Sequence, residues 1–394
     1  MAKKILLSIL SGLVILIITW IYQNYEYSLS VEDGFFKKAL KYKRMAFPPA
    51  PSKKEAFVFI NTGKDLALTE DSVEYGNVTI TDRAKLQQFL QKINQLTNPP
   101  IYTVLDLQFY YHNSTDLSVD SLLETTITRN KRLMIPVVKD EEGNYKDPIF
   151  LSNYAYSDYL TFGSGFNKFR VLNHSTLKSI PIVLHEKVNN AVYKDYFFFA
   201  TCNGKLCLSA IWPHYYLTEP EVRANTQTAI SQFYNLGEVL LDMEGNPSNY
   251  VNFFEDKILI IGNFEGDIHS TPVGKMAGSV ILANIYLSLL NNHHIVSPIY
   301  LLILMAVLSF LSYFAWFSQI PKIKINFKFF FSSYLQKFLK SYISYFGCMF
   351  LLSLIALLVF DIQMALFLPS LILSGIEYIR QKKYLPEKKE EAES

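Results

Sequence analysis

The stretch that decides the fold runs from Lys257 to Asn292 and reads K-I-L-I-I-G-N-F-E-G-D-I-H-S-T-P-V-G-K-M-A-G-S-V-I-L-A-N-I-Y-L-S-L-L-N-N. A short apolar run closed by Gly262 predicts a buried strand. The polar loop after it carries Glu265, Asp267 and His269, and an apolar segment of helical length follows. From Pro298 onward the chain is almost wholly apolar over about 20 residues, the length of one bilayer crossing. A concentration of polar groups is thus expected next to a membrane.

Working outward, the composition agrees. Half of the 394 residues are hydrophobic and the formal net charge is only +2, so the chain offers nucleic acid no basic field. Ile5 to Ile21 is uncharged, preceded by Lys3 and Lys4, and long enough to cross a hydrocarbon core. A cleaved signal peptide is the competing reading. Its apolar core is usually about 7 to 15 residues, and only the weak candidate Ser28-Leu29-Ser30 follows, so an uncleaved anchor is expected. Ile299 to Phe317 and Ile343 to Ile379 close the chain. The second exceeds one crossing and is interrupted at Phe360-Asp361-Ile362-Gln363, which predicts two helices and a turn.

Four crossings result, with the termini on one side. Lys322, Lys324, Lys328, Lys337 and Lys340 lie between spans, and Arg380, Lys382 and Lys383 follow the last one. By the positive-inside rule both segments face the cytoplasm. The expected organisation is an anchor over 1–22, an extracytoplasmic domain over 23–298, three helices over 299–379 with a basic loop over 318–342, and a tail over 380–394. Cys202 and Cys207 flank Asn203-Gly204, where a hairpin could bring them together or leave two buried thiols; Cys348 falls in a span.

The outer block alternates strands with helices. After an amphipathic helix over Val31 to Lys43, Ala56 to Asn61 reads as a buried strand. Thr81-Asp82 caps a helix carrying Leu86, Phe89, Leu90 and Ile93, and Ile101 to Phe109 is the next strand. Leu117 to Thr128 and Arg132 to Val138 repeat the unit, which implies parallel pairing. Pro148 to His185 has no clear period and reads as an irregular insertion. Ala191 to Thr201 reads as strand, Leu206 to Tyr216 as strand or helix, Glu219 to Tyr234 as helix and Ser248 to Glu255 as a helical turn. The fold class expected is α/β: a three-layer extracytoplasmic domain with a mostly parallel sheet, plus four transmembrane helices.

Several residues are candidates for chemistry. Glu265, Asp267 and His269 occupy alternate positions, which an extended loop would project to one side. Two carboxylates and an imidazole suit ligand binding or acid–base work. The plainer reading is that Asp267 and Thr271 bond backbone amides while Pro272 fixes a turn. Asp106 interrupts an apolar strand, which calls for a partner such as Arg83 or an opening onto a crevice. If the strands ending at Asn61, Phe109 and Gly262 are neighbours, Asp106 and the Asp267 loop share that crevice. Tyr154, Tyr156, Tyr159, Phe162, Phe166 and Phe169 form packing or a ligand wall. No phosphate loop, nucleophile elbow or Cys/His metal set occurs, so no catalytic residue, metal or cofactor is assigned. Asp361 is placed in a turn and Glu377 near the cytoplasmic end, within reach of water.

Ile261-Gly262, Asp267, Thr271-Pro272, Gly274, Gly278 and Ala283-Asn284 resemble the strongest block of the second type of CHASE domain, CHASE-two, an extracytoplasmic sensor module of bacterial receptors. Ala277 stands where that family usually has Pro, and Leu282 where it has His. Val104 to Phe109 is similar to the family's strand ending in Leu-Asp-x-x-Phe, and Asp82-Arg83 to the start of its first helix; Asn61-Thr62-Gly63-Lys64 replaces its acidic pair. The resemblance covers about residues 25 to 380 and implies one span before the sensor and three after. Read from the residues themselves, the ligand contacts expected are Asp106, Glu265, Asp267, His269 and Thr271, with Gly262, Pro272, Gly274, Gly278 and Asn284 shaping the motif. Such receptors usually carry an output domain after the last span, and about fifteen residues follow Arg380 here, too few to fold alone. The expectation is a sensor in the bacterial inner membrane, not an enzyme, that contacts the bilayer and a separate protein partner, with homo-oligomerisation open. A docking subunit of an envelope complex and a hydrolase using Asp267 and His269 are the alternatives.

Overall fold

The computed structural model of the chain describes all residues except 25–29, 49–55, 72–75, 114–115, 138–144, 146–147, 151, 158–159, 163–164, 172–176, 197–198, 225–230, 319–332, 363, 366 and 385–394. Residues 140–144, most of the basic loop over 318–342 and residues 385–394 of the tail therefore lie outside the described residues. In chain order the helices are α1 (Ala2–Asn24), α2 (Ser30–Ala46), α3 (Arg83–Gln95), α4 (Leu117–Arg129), α5 (Ile180–Asn189), α6 (Glu219–Arg223), α7 (Leu236–Gly245), α8 (Gly278–Leu290), α9 (Pro298–Phe317), α10 (Ser333–Val359) and α11 (Phe367–Tyr384). The strands are β1 (Ala56–Asn61), β2 (Leu66–Asp71), β3 (Gly76–Thr81), β4 (Tyr102–Asp106), β5 (Leu133–Val137), β6 (Asn153–Tyr156), β7 (Leu160–Phe162), β8 (Gly165–Arg170), β9 (Tyr193–Tyr196), β10 (Phe199–Cys202), β11 (Lys205–Cys207), β12 (Ala210–Ile211), β13 (Ser231–Asn235), β14 (Lys257–Gly262), β15 (Ile268–Thr271) and β16 (Gly274–Ala277). The chain divides into two compact units, Leu40–Asp195 with Trp212–Asn292, and Met1–Ala39 with Tyr196–Ile211 and His293–Ser394.

The first unit is built on a six-stranded sheet in the order β13-β1-β14-β4-β5-β6, every neighbouring pair parallel. Its central strands are continuous apolar runs, as burial on both faces demands. Val58 and Ile60 of β1, with Leu259 and Ile261 of β14, pack against Leu86, Phe89 and Ile93 of α3, Leu123 of α4 and Val239 of α7. One position along, Phe57 turns to the opposite face and meets Tyr286 of α8 edge-on, ring centroids 6.0 Å apart. Asp82 caps α3 as its sequence suggests, its side chain accepting from the Lys85 amide at 3.1 Å. α8 is buried on every side but its last residue, which explains why its apolar pattern has no polar stripe.

Several expectations are corrected. The stretch over 148–185 is not an irregular insertion: β6 extends the main sheet, β7 and β8 pair, and α5 follows. The helix expected over Glu219 to Tyr234 stops at Arg223, and Ser231–Asn235 is the edge strand β13, its Phe233 ring 5.1 Å from Phe264. An edge strand pairs on one side only, and the Ser, Gln and Asn it carries here hide the strand pattern. The undecided segment after Asn203-Gly204 forms the short strands β11 and β12. The polar loop after β14 contains the antiparallel hairpin β15–β16, and the hairpin β2–β3 follows β1.

In the second unit, β10 and β11 are joined by Asn203 and Gly204, both with positive φ (50° and 76°), as a tight hairpin turn requires. Cys202 faces Lys205 and Cys207 faces Ala200, which leaves the thiols on diagonal positions, and the two do not form a disulfide. Among the described residues, three helical stretches, Ala2–Gln23, Pro298–Phe317 and Gln336–Val359, are long and apolar enough to cross a membrane. α11 is not among them, since Glu377, Arg380, Lys382 and Lys383 fall within its second half. α10 begins at Ser333, earlier than expected, so Lys337 and Lys340 are helical. α1 and α9 cross closely at Gly12: a Cβ there would lie 2.6 Å from the Ser309 hydroxyl, and Trp316 Nε1 donates to Ser11 Oγ at 2.9 Å. Glu377 does not reach water. It is fully buried and accepts from Ser341 Oγ at 2.8 Å and Tyr345 OH at 3.0 Å.

Candidate functional site

The register of the parallel sheet sets Asn61 beside Gly262, and Gly262 beside Asp106, so three strands end in one row. β13 adds Asn235 next to Asn61. The carboxyl edge of a parallel sheet is where the chain leaves room between strand ends and returning helices, and Asp106 and the Asp267 loop do lie together there.

Asp106 closes β4. It is partly buried, and its Oδ2 accepts a hydrogen bond from Ser279 Oγ at 2.7 Å. Burial first, and the nearby Asp267 carboxylate second, push its pKa up to about 7; the Ser279 bond and His269 pull the other way. Arg83 is not its partner. That guanidinium is buried and paired with Asp120 at 2.5 Å, and it also donates to the Tyr111 carbonyl.

The loop from Asn263 to Asp267 is a turn, not an extended run. The Asp267 amide donates to the Asn263 carbonyl at 3.1 Å, while Asn263 Oδ1 accepts from the amides of Glu265 and Gly266. The turn ends the period-two alternation, so the three polar side chains find different partners. Asp267 Oδ1 is 2.7 Å from His269 Nε2. Glu265 instead accepts from Arg223 Nη1 at 2.9 Å and from Asn61 Nδ2 at 3.4 Å. The Arg223 bond holds the Glu265 carboxyl below the usual carboxylate range. Thr271 Oγ1 donates to the Gly274 carbonyl at 2.6 Å and accepts from the Val273 amide, closing the turn that Pro272 begins; Gly274 has φ +124°, which a side chain would disfavour.

Gly278 opens α8 hard against Asp267. Its amide donates to the Asp267 carbonyl at 2.9 Å, and a Cβ would fall 2.0 Å from Asp267 Oδ2. A Cβ on Gly262 would likewise meet Ser279 Oγ at 2.1 Å. Both glycines are thus set by close approach to the polar cluster. Asn284, one turn and a half further along α8, grips Leu217 with both amide atoms: Nδ2 donates to its carbonyl at 2.9 Å and Oδ1 accepts its amide at 2.8 Å.

Sequence reasoning did not find Ser279, Arg223 or Asp65. Ser279 follows the motif glycine and looks like an ordinary first-turn residue. Arg223 ties α6 to the sheet edge through Glu265 and the Phe264 carbonyl at 2.6 Å. Asp65 accepts from Lys85 at 2.7 Å and from the Gly237 amide at 3.0 Å, so a buried carboxylate sits at the start of α7, where a helix favours an anion. Of the aromatic insertion, Tyr156, Phe166 and Phe169 are buried as packing.

The model of the CHASE2 domain matches residues 13–317, well over half of the chain. The chain belongs to the CHASE2 family. No curated protein and no solved structure matches it. CHASE2 is an extracytoplasmic sensor-type domain of membrane proteins, and the apolar helices α1, α9 and α10 agree with that setting. Within this CHASE2 domain, the motif positions Gly262, Asp267, Gly278 and Asn284 are the contacts that hold the sheet edge, the hairpin and α8 together.

Proposed function

We propose that the protein is a multi-pass sensor of the bacterial inner membrane, with its three-layer α/β domain outside the cytoplasm and four helices, α11 included, crossing the bilayer. A signal received at the carboxyl edge of the sheet passes along α8 and the chain that follows it into α9, and from there to a separate protein partner on the cytoplasmic side. The observation that carries this reading is the row Asn61, Gly262, Asp106 at the sheet edge, with Asp106 and Asp267 meeting the start of α8, His269 on Asp267 and Glu265 beside Asn61. Thr271 keeps the adjoining turn closed.

The CHASE2 match is what favours a sensor over an enzyme. At the sheet edge His269 engages Asp267 and Ser279 engages Asp106. The short helix α6 supports transmission. Arg44 at the end of α2 bonds Glu221 at 2.9 Å, Arg223 bonds Glu265, and Glu219 accepts from the Ala277 amide at 2.9 Å, just ahead of α8. Segments adjoining both the first and the second apolar helices in sequence are therefore tied to the sheet edge.

Fusing a reporter enzyme that folds only outside the cytoplasm at residue 150 and after residue 384 tests the arrangement. Activity at 150 with none after 384 is expected. Activity after 384 overturns the four-crossing reading.

A further inference from the structure

We propose that the end of β4 and the start of α8 form a proton-operated latch, in which protonation of the Asp106 carboxyl tightens the seat of α8 and its ionisation loosens it. The inference rests on the sensor reading above for its meaning, but its geometry stands alone. Two carboxylates bracket two consecutive residues: Asp267 packs its side chain and its carbonyl on Gly278, and Asp106 takes the hydroxyl of Ser279 at 2.7 Å. Both contacts are close: a Cβ on Gly278 would lie 2.0 Å from Asp267 Oδ2 and one on Gly262 2.1 Å from Ser279 Oγ, so the helix start and these polar side chains adjust together.

The charged groups facing this point come from every element around it. β4 brings Asp106, the loop before β15 brings Asp267, β15 brings His269 on Asp267, and α6 brings Glu219, which is bonded to Arg223 and to the Ala277 amide. Arg223 also pairs with Glu265, so its charge is spent on two glutamates. Asp106 is faced by the Ser279 hydroxyl, the Asp267 carboxylate and His269. Its pKa, raised to about 7 by burial and by Asp267, places the change near neutrality.

The sign follows from linkage. The folded chain holds the Asp106 proton more tightly than the unfolded one, whose aspartates titrate near 3.8. Stability is therefore complete at low pH and declines as pH rises from about 4 through about 7. Above that window two ionised carboxylates repel across Gly278-Ser279, and α8 loses part of its anchorage.

The test uses the full chain in detergent with carbon-13-labelled aspartate, followed by infrared spectroscopy of the protonated carboxyl and by hydrogen exchange of residues 278–282, corrected for intrinsic rate. A protonated-carboxyl band lost with a midpoint near pH 7, absent in Asp106→Asn, is expected, with protection of 278–282 falling over the same range. Asp267→Asn should lower the midpoint and Ser279→Ala should raise it, a pair of opposite shifts that a merely structural role would not produce. A band that survives in Asp106→Asn, a midpoint that neither variant moves, or protection that ignores pH overturns the latch. If Asp106→Asn fails to fold, the two opposite shifts decide alone. A latch that titrates as described while α9 does not respond leaves this inference standing and counts against the sensor reading instead.

Discussion

Gly278 shows how much a single missing methyl group decides. Its Cβ position lies 2.0 Å from an Asp267 oxygen, so Gly278→Ala must displace either that carboxylate or the start of α8. We expect a loss of about 1–3 kcal/mol, measured by denaturant unfolding of the full chain, with the His269 contact broken. Asn284 is a stronger case. It satisfies both backbone groups of Leu217 in a fully buried site, and Asn284→Ala strands them, at a cost of roughly 2–4 kcal/mol. Arg223→Ala should cost only about 1 kcal/mol, because the guanidinium is a third exposed and its ion pairs are screened by solvent. If Arg223→Ala proves as damaging as Asn284→Ala, the ranking of these contacts is wrong. At this scale the sequence marked Asp106, Asp267 and the motif glycines, because an acid in an apolar strand and glycines around a polar loop are anomalies visible without coordinates. It did not reveal that Arg83 belongs to Asp120, since the choice between acids on two elements is made by the fold.

At the scale of elements, strands buried on both faces were the easiest to read. β1 and β14 appear at their full lengths, Ala56–Asn61 and Lys257–Gly262, because an unbroken apolar run bounded by polar residues and Gly has few other uses. β13 was hidden, because its Ser, Gln and Asn break the apolar run, although the Phe233 ring packs on Phe264 and the Tyr234 ring on Phe253. The hairpin β15–β16 was hidden too: its exposed side chains, such as Ile268 and Lys275, carry no alternation, and its closure depends on Thr271 bonding the Gly274 carbonyl. That bond gives a prediction proper to the element. Thr271→Val keeps the shape but removes the hydroxyl, and the hairpin should then lose exchange protection at residues 268–277 while the six-stranded sheet keeps its own. Equal protection with and without the hydroxyl would show that strand pairing alone holds the hairpin. Among the spans, Gly12→Leu should weaken the crossing of α1 and α9, seen as slower cross-linking between cysteines placed on those helices, since the Ser309 backbone leaves no space at Gly12.

For the whole molecule, apolar length and the distribution of Lys and Arg gave the membrane setting, and the CHASE2 match over residues 13–317 agrees with it. The status of α11 was less legible, because its apolar first half runs into a charged second half that packs Glu377 against α10. On the sensor reading proposed above, a change at the sheet edge around Asp106 reaches the membrane helices. Spin labels placed at the outward-facing positions Ile5 of α1 and Leu302 of α9, in a Cys348→Ser background and in lipid nanodiscs, report the distance between those helices by pulsed electron resonance. The account predicts that the distance distribution differs between about pH 5.5 and about pH 8.5, on either side of the Asp106 titration, and that Asp106→Asn abolishes the difference. Identical distributions at both values in the unaltered chain would contradict it.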